Sequence, residues 1–346
     1  MVALSGAPPR ADIVQVPIET MRGMAVVLLV AYHVIGRGPA VGLDIGYPHV
    51  LRLYADFFVD LRMPFFAFIA GYVYALRPLT IRGYTDFLGG KIRRLVIPGA
   101  VAIAAFLVVS NIIGTDFARP WATAWTVFVY PYAHYWFLQS ILLIFVAYGL
   151  VDALLGGRCA PVLLAIAIAT YLMGFRFPMW PFSLNDALYL LPFFLLGVCF
   201  VRYAARIWEE AEHLTLLLLV VALVCAFANI RELIDTGTFS LVRRDLQSLL
   251  FGLAACALAL LWCPRLPLLE KLSPYAFTIY LYHIFGTAGA RLVADKLGIA
   301  SLDMRFAWGL ACGLALPILM HEVLQRIPRA QRRLRCRLVR AFGCRL

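Results

Sequence analysis

Apolar residues run along this 346-residue chain in long blocks, separated by short polar, glycine- or proline-bearing stretches. Crossing a hydrocarbon core takes roughly 20 helical residues, and blocks of about 15 to 24 fit that length. They begin near Glu19, Asp56, Arg94, Tyr135, Ala160, Asp186, His213, Leu246, Ser273 and Asp303. The pattern predicts an all-α polytopic membrane protein of about ten transmembrane helices. Two stretches fit less well. Ala160–Phe175 is short, and Trp121–Tyr132 is an apolar loop whose Trp and Tyr residues favour the headgroup level, as in a re-entrant or interfacial segment. The expected organisation is an N-terminal segment 1–18, a ten-helix membrane domain 19–326 and a basic tail 327–346.

Composition agrees. Hydrophobic residues make up 63%, charged residues 14%, and mean hydropathy is +0.85. A soluble domain carries roughly a quarter charged residues, so too few remain here to cover a water-facing surface. Among the eight cysteines, Cys199, Cys225, Cys256, Cys263 and Cys312 fall in or at the ends of apolar blocks without a CxxC pair. They read as small apolar residues of helix interfaces. The N-terminus lacks the small-residue cleavage site of a signal peptide, so the first helix is expected to be retained.

The net charge of +12 matters for where it falls. With the N-terminus inside, the cytoplasmic segments would hold nineteen Lys and Arg residues and the external ones ten, with Arg22 and Arg62 inside the membrane. That bias predicts cytoplasmic termini. The arginines of the tail, interleaved with Leu334, Leu338, Val339 and Phe342, read as an interfacial helix on anionic lipid. Nothing else in the chain points to nucleic acid.

Ionisable groups inside apolar blocks are costly and mark cavities or pathways. In the first block, Arg22 and His33 are eleven residues apart. At 100° per residue that is roughly 20° past three turns, with an axial separation of about 16 Å. Both therefore share one helix face, with Glu19 one turn before Arg22. The second block holds Asp56 and Asp60 on an expected common face, then Arg62 and a local break allowed at Pro64. Lys91, Arg93 and Arg94 form a cationic cluster at the cytoplasmic start of the third, and His283 lies about ten residues into a late one, near the depth of His33. A lone histidine, an Asp60–Arg62 pair or a basic loop cluster each has a structural explanation. Together they suggest a pore that holds an anion below and does proton chemistry above.

These residues also form a pattern. Arg22-x10-His33 lies within ETMRGMA…YH, followed by RMPFFAFIAGYVY, KIRRLVIP, YWFL at Tyr135–Leu138 and SPYAFTIYLYH, in that order. The chain resembles the membrane-bound acyltransferase-3 family, whose bacterial members O-acetylate surface polysaccharides and other glycans. It departs from the family pattern at Ala70, where serine is usual, at Lys91, which replaces an arginine, and at Arg62, where some relatives have histidine. The resemblance is to members without an external SGNH-type domain, so acceptor handling is expected within the membrane domain.

The resemblance implies a multi-pass enzyme of the bacterial inner membrane, with acetyl-CoA as co-substrate and no metal. Its partners would be membrane lipid and a sugar or polysaccharide acceptor, lipid-linked or free. Lys91, Arg93 and Arg94 would hold the donor's phosphates. His33 would act as general base, with Arg22 along the pantetheine arm or holding a phosphate and Glu19 orienting it. Asp60, Arg62, Trp136, Tyr280 and His283 would line the acceptor side. Direct transfer and an acetyl-histidine intermediate fit the sequence equally. The rival reading is a proton-coupled secondary transporter using the same His, Asp and Arg residues, although no inverted hydropathy repeat is visible. A lipid-linked-sugar glycosyltransferase is a third; its usual large acidic external loop has no match in the short Arg37–Tyr54 loop.

Overall fold

The computed structural model describes residues 16–77, 79–178, 181–239 and 244–342, with side chains as far as 326. Residues 1–15 of the expected N-terminal segment and the side chains of the basic tail lie outside the described residues. The described chain is helical, with no strand. Its principal helices are α1 (Ile18–Ile35), α2 (Val50–Phe57), α3 (Val59–Ala75), α4 (Ile97–Ile113), α5 (Trp136–Leu155), α6 (Ala160–Leu172), α7 (Leu184–Arg202), α8 (Ala211–Thr236), α9 (Leu246–Trp262), α10 (Ala276–Lys296) and α11 (Leu302–Phe342).

Apart from α2, each begins within three residues of a block start read from the sequence. The span count is a different matter. Among the described residues, six helical segments are long and apolar enough to cross a membrane, or up to eight if two bent pairs each count as one span. Length and composition therefore fall short of ten. The reason is local. The α9 helix has 17 residues and turns through 107° at the break before Pro267, while α6 has only 13. The last turns of α10 carry Arg291, Asp295 and Lys296.

A second departure concerns the acidic pair. The helix bends by 43° between α2 and α3, and the break falls at Phe58, not at Pro64. Asp56 and Asp60 lie on either side of it, in two helices rather than one. Asp56 accepts from Arg52 at 2.7 Å and from the Tyr47 hydroxyl at 2.8 Å; Arg52 also donates to the Gly36 carbonyl at 2.8 Å. This buried set ties α2 to the end of α1. Burial, reinforced by the Asp56 carboxylate, pushes the Tyr47 phenol up to about 12. Asp60 interacts electrostatically with Tyr171.

Lipid gives no hydrophobic drive for helices to associate, so close backbone approach at small residues does much of the packing. The α3–α7 pair shows how. A Cβ on Gly71 would sit 1.9 Å from the Phe194 carbonyl oxygen, and one on Gly197 would sit 2.1 Å from that of Phe68. Gly23 likewise lets α1 approach Leu269. At the periphery, α8 shows broad apolar faces such as Leu223 and Phe227, as a helix solvated by lipid should.

Thr20 and His321–Glu322 both meet the turn before α10. Thr20 donates to Glu270 at 3.2 Å; Tyr275 donates to Glu322 at 2.6 Å, and Thr278 bonds His321 at 3.0 Å. The start of α1 and the middle of α11, at His321 and Glu322, therefore lie at one end of the bundle. At 41 residues, α11 would extend about 60 Å. Its backbone continues unbroken into the segment expected to form the basic tail.

Candidate functional site

At the opposite end, the late turns of α1, α4 and α10 and the first turns of α11 surround a cavity of about 670 Å³. The loop between α4 and α5 forms another wall. Its Trp121–Thr123 and Thr126–Val129 turns expose Trp121 and Trp125, as expected of an interfacial segment. Two devices hold it in place. Gln139 donates to the Phe128 and Tyr130 carbonyls, and Tyr132 donates to Phe117 at 2.7 Å.

Three imidazoles meet at the cavity. His33, near the end of α1, lies 4.9 Å from His283 on α10 and 5.9 Å from His134 in the loop before α5; His134 and His283 are 5.0 Å apart, centroid to centroid. His33 and His134 line the cavity, while His283 is fully buried behind them. Nδ1 of His283 lies 2.9 Å from the Ile279 carbonyl and 3.0 Å from that of Tyr280. Carbonyls only accept, so Nδ1 carries the proton and Nε2 keeps its lone pair. Among the described residues, Nε2 of His283 and of His134 finds no hydrogen-bond partner. Buried polar atoms without partners are rare, and cluster where chemistry is done.

The surrounding groups fix the rings. The Tyr280 hydroxyl donates to the His134 carbonyl at 2.7 Å, and Tyr135 donates to the Leu281 carbonyl at 3.0 Å, cross-bracing α10 against the start of α5. Arg62 lies 3.4 Å above the Tyr32 ring centroid and donates to the Ala55 carbonyl at 3.0 Å, with its side chain in the cavity wall beside His33. Trp136 completes that wall. Of the residues singled out in the sequence, His33, Arg62, Trp136, Tyr280 and His283 are thus brought together, and Asp60 lies outside the cavity lining.

Arg22 and Glu19 are at the far end of α1. They interact electrostatically, without an ion pair within 4 Å. The cationic cluster lies at that same end, across the short helix Tyr84–Lys91 and a π-helical turn, Ile92–Val96. Single π turns are frequent at functional sites. Its side chains diverge. Lys91 lies 3.2 Å from the Phe145 ring centroid, Arg93 donates back to the Gly89 carbonyl at 3.3 Å, and Arg94 lines a second cavity of about 640 Å³. Thr278, Tyr282 and His321 share that second cavity with Arg94. Helix α10 stands between the two, turning Leu281 and Tyr282 to one and Tyr280 and Ile284 to the other.

His134 was not among the residues singled out in the sequence, although it directly precedes YWFL. Its position depends on a loop in which Ala133 takes a left-handed backbone (φ 47°), which no helical periodicity forecasts. A histidine adjoining a motif already noted was the one available signal. Among the described residues, no group of three or more His, Cys, Asp or Glu side chains is arranged to hold a metal ion.

No curated protein matches this chain, and no solved structure does. A family model described as an acyltransferase domain matches residues 17–321, from the first turn of α1 to His321 at the second cavity. With its apolar helical architecture and a match over most of its length, this chain belongs to the acyltransferase-3 family of membrane acyltransferases.

Proposed function

We propose that the protein is an O-acyltransferase that passes an acetyl group from cytoplasmic acetyl-CoA to a hydroxyl of a glycan or lipid-linked sugar at the opposite face. The observation that carries this reading is the pair of cavities on either side of α10, one reached by Arg94 and the other by His33. In this reading all ten long helices cross the bilayer of a bacterial inner membrane with both termini cytoplasmic. Arg94, with Lys91 and Arg93, attracts the donor's phosphates, and the narrow pantetheine arm reaches inward past α10. Arg22, with Glu19 beside it, lies along the donor side.

At the far end of that path the acceptor hydroxyl lies against His33. Neutral imidazole takes the hydroxyl proton as the oxygen attacks the thioester carbon. The C–O bond forms, the C–S bond breaks, and the CoA thiolate leaves and is reprotonated. Arg62 supplies positive charge beside the developing oxyanion, the kind of fixed electrostatic help that lowers such barriers most. His283 presents an unprotonated Nε2 atom beside His33, and His134 a second ring nitrogen without a partner, which together offer its proton a way out. Trp136 and Tyr280 shape the acceptor side.

Membership in an acyltransferase family leaves the transporter reading without support. The decisive experiment incubates the purified, lipid-reconstituted protein with acetyl-labelled acetyl-CoA and a mixed glycan pool. Label in the glycan together with free CoA supports the reading. Intact donor and an unlabelled pool refute it.

A further inference from the structure

The His33 cavity has a second chemical character, and it lies at the mouth. Arg37, Arg62, Arg119, Arg291 and Arg305 all line it, against one carboxylate, Asp116. Arg305 is paired with Asp295 at 2.8 Å, and Arg119 donates to the backbone carbonyls of Asp116 and Ala118. Arg37 and Arg291 are exposed and form no hydrogen bond or ion pair among the described residues. Leaving out the buried Arg62, four arginines less Asp116 and Asp295 leave the mouth a formal charge of about two positive.

Chance and topology both argue against this arrangement. Basic residues are disfavoured on the non-cytoplasmic side, yet four of the ten assigned there by sequence converge on one cavity. Like charges gathered within about a Debye length repel one another, and a cleft with low-dielectric walls focuses the resulting field outward. Such a cleft concentrates anions.

We infer that the acceptor is anionic: Arg37 and Arg291 clamp a carboxylate or phosphate on the glycan and so present its hydroxyl to His33. This rests on the reading that the cavity receives the acceptor. Guanidinium forks suit both groups, and an exposed pair at the mouth holds the charge away from the reacting atoms. A uronic acid or a phosphorylated sugar carries the required chemistry.

The test measures binding, so that it does not depend on transfer. Affinities of the wild-type protein in nanodiscs of neutral lipid are measured for a tetrasaccharide of galacturonic acid and for its methyl ester. A second arm compares a sugar 1-phosphate with the free sugar, which tells carboxylate from phosphate. At least one charged probe should bind about tenfold or more tighter than its neutral counterpart. Arg37→Gln/Arg291→Gln should erase that preference with thermal stability unchanged, and His33→Gln should keep it. Equal affinities for charged and neutral probes overturn the proposal. So does a preference that survives the double substitution, or displacement of the probe by CoA, which would make the cavity the donor site. Charge preference without acetyl transfer supports the anionic site and counts against the acetyl-CoA reading alone.

Discussion

The two ends of α5 carry opposite kinds of buried polar cluster. At its C-terminal end, Asp152 accepts both nitrogens of the Arg202 fork at 2.6 Å, the Tyr74 hydroxyl at 2.7 Å and the Tyr148 hydroxyl at 3.3 Å. Arg202 also donates to Tyr148 and to the Gly157 carbonyl. At its N-terminal end, the histidine cluster leaves two ring nitrogens without partners. A satisfied buried network rigidifies; a partly satisfied one costs stability and is kept for what it does. The first therefore reads as a clamp joining α3, α5 and α7, and the second as the reacting centre.

Substitutions at the two ends should separate along that line. His33→Gln keeps polarity but removes the base, so transfer should fall about 10²–10⁴-fold while the melting temperature in detergent stays within a few degrees. An active His33→Gln enzyme would sink the general-base role. Asp152→Ala strands the Arg202 charge, and breaking one side of a buried pair costs about 3–5 kcal/mol. Thermal unfolding should register this as a large loss of stability, with turnover per folded molecule nearly preserved; the reverse would make the clamp catalytic.

Smaller effects sharpen the contrast. Lys91→Ala/Arg94→Ala removes charged hydrogen bonds worth roughly 1.5–3 kcal/mol each, so the KM for acetyl-CoA should rise at least about tenfold. The KM for the acceptor should hardly move. An unchanged donor KM would leave the basic cluster as a topology anchor only. Least of all, Tyr74→Phe removes one of several donors to Asp152 and should cost about 1.5 kcal/mol of stability, with activity intact. A neutral result would mean that Arg202 and Tyr148 alone satisfy the carboxylate.

The sequence made the helices legible because a membrane span writes itself in length and apolarity, and ten helix starts fell within three residues of their blocks. The Arg22–His33 spacing could be turned into geometry because both lie on one uninterrupted helix, α1. Reasoning failed where continuity failed. Neither glycine nor proline marks the break at Phe58, so the sequence placed Asp56 and Asp60 on one helix where the structure has two. His134 was hidden for a related reason, its place being set by loop hydrogen bonds. Length and composition support six to eight spans among the described residues, the lower figures arising where bent pairs such as the one with a 107° turn before Pro267 are not counted as spans.

The thin wall formed by α10 has a consequence for the cell as well as for the reaction. Two cavities approach each other from opposite ends of the helix bundle, and only about one helical turn of α10, Tyr280 to Ile284, carries the residues that line both. If the proposed transfer runs across a membrane that stores an electrochemical gradient, this turn has to pass an acyl group and still act as an insulator. On that reading the cross-bracing of the turn by Tyr135 and Tyr280 is an electrical requirement as much as a geometric one, because a wall that parted would short the membrane around it.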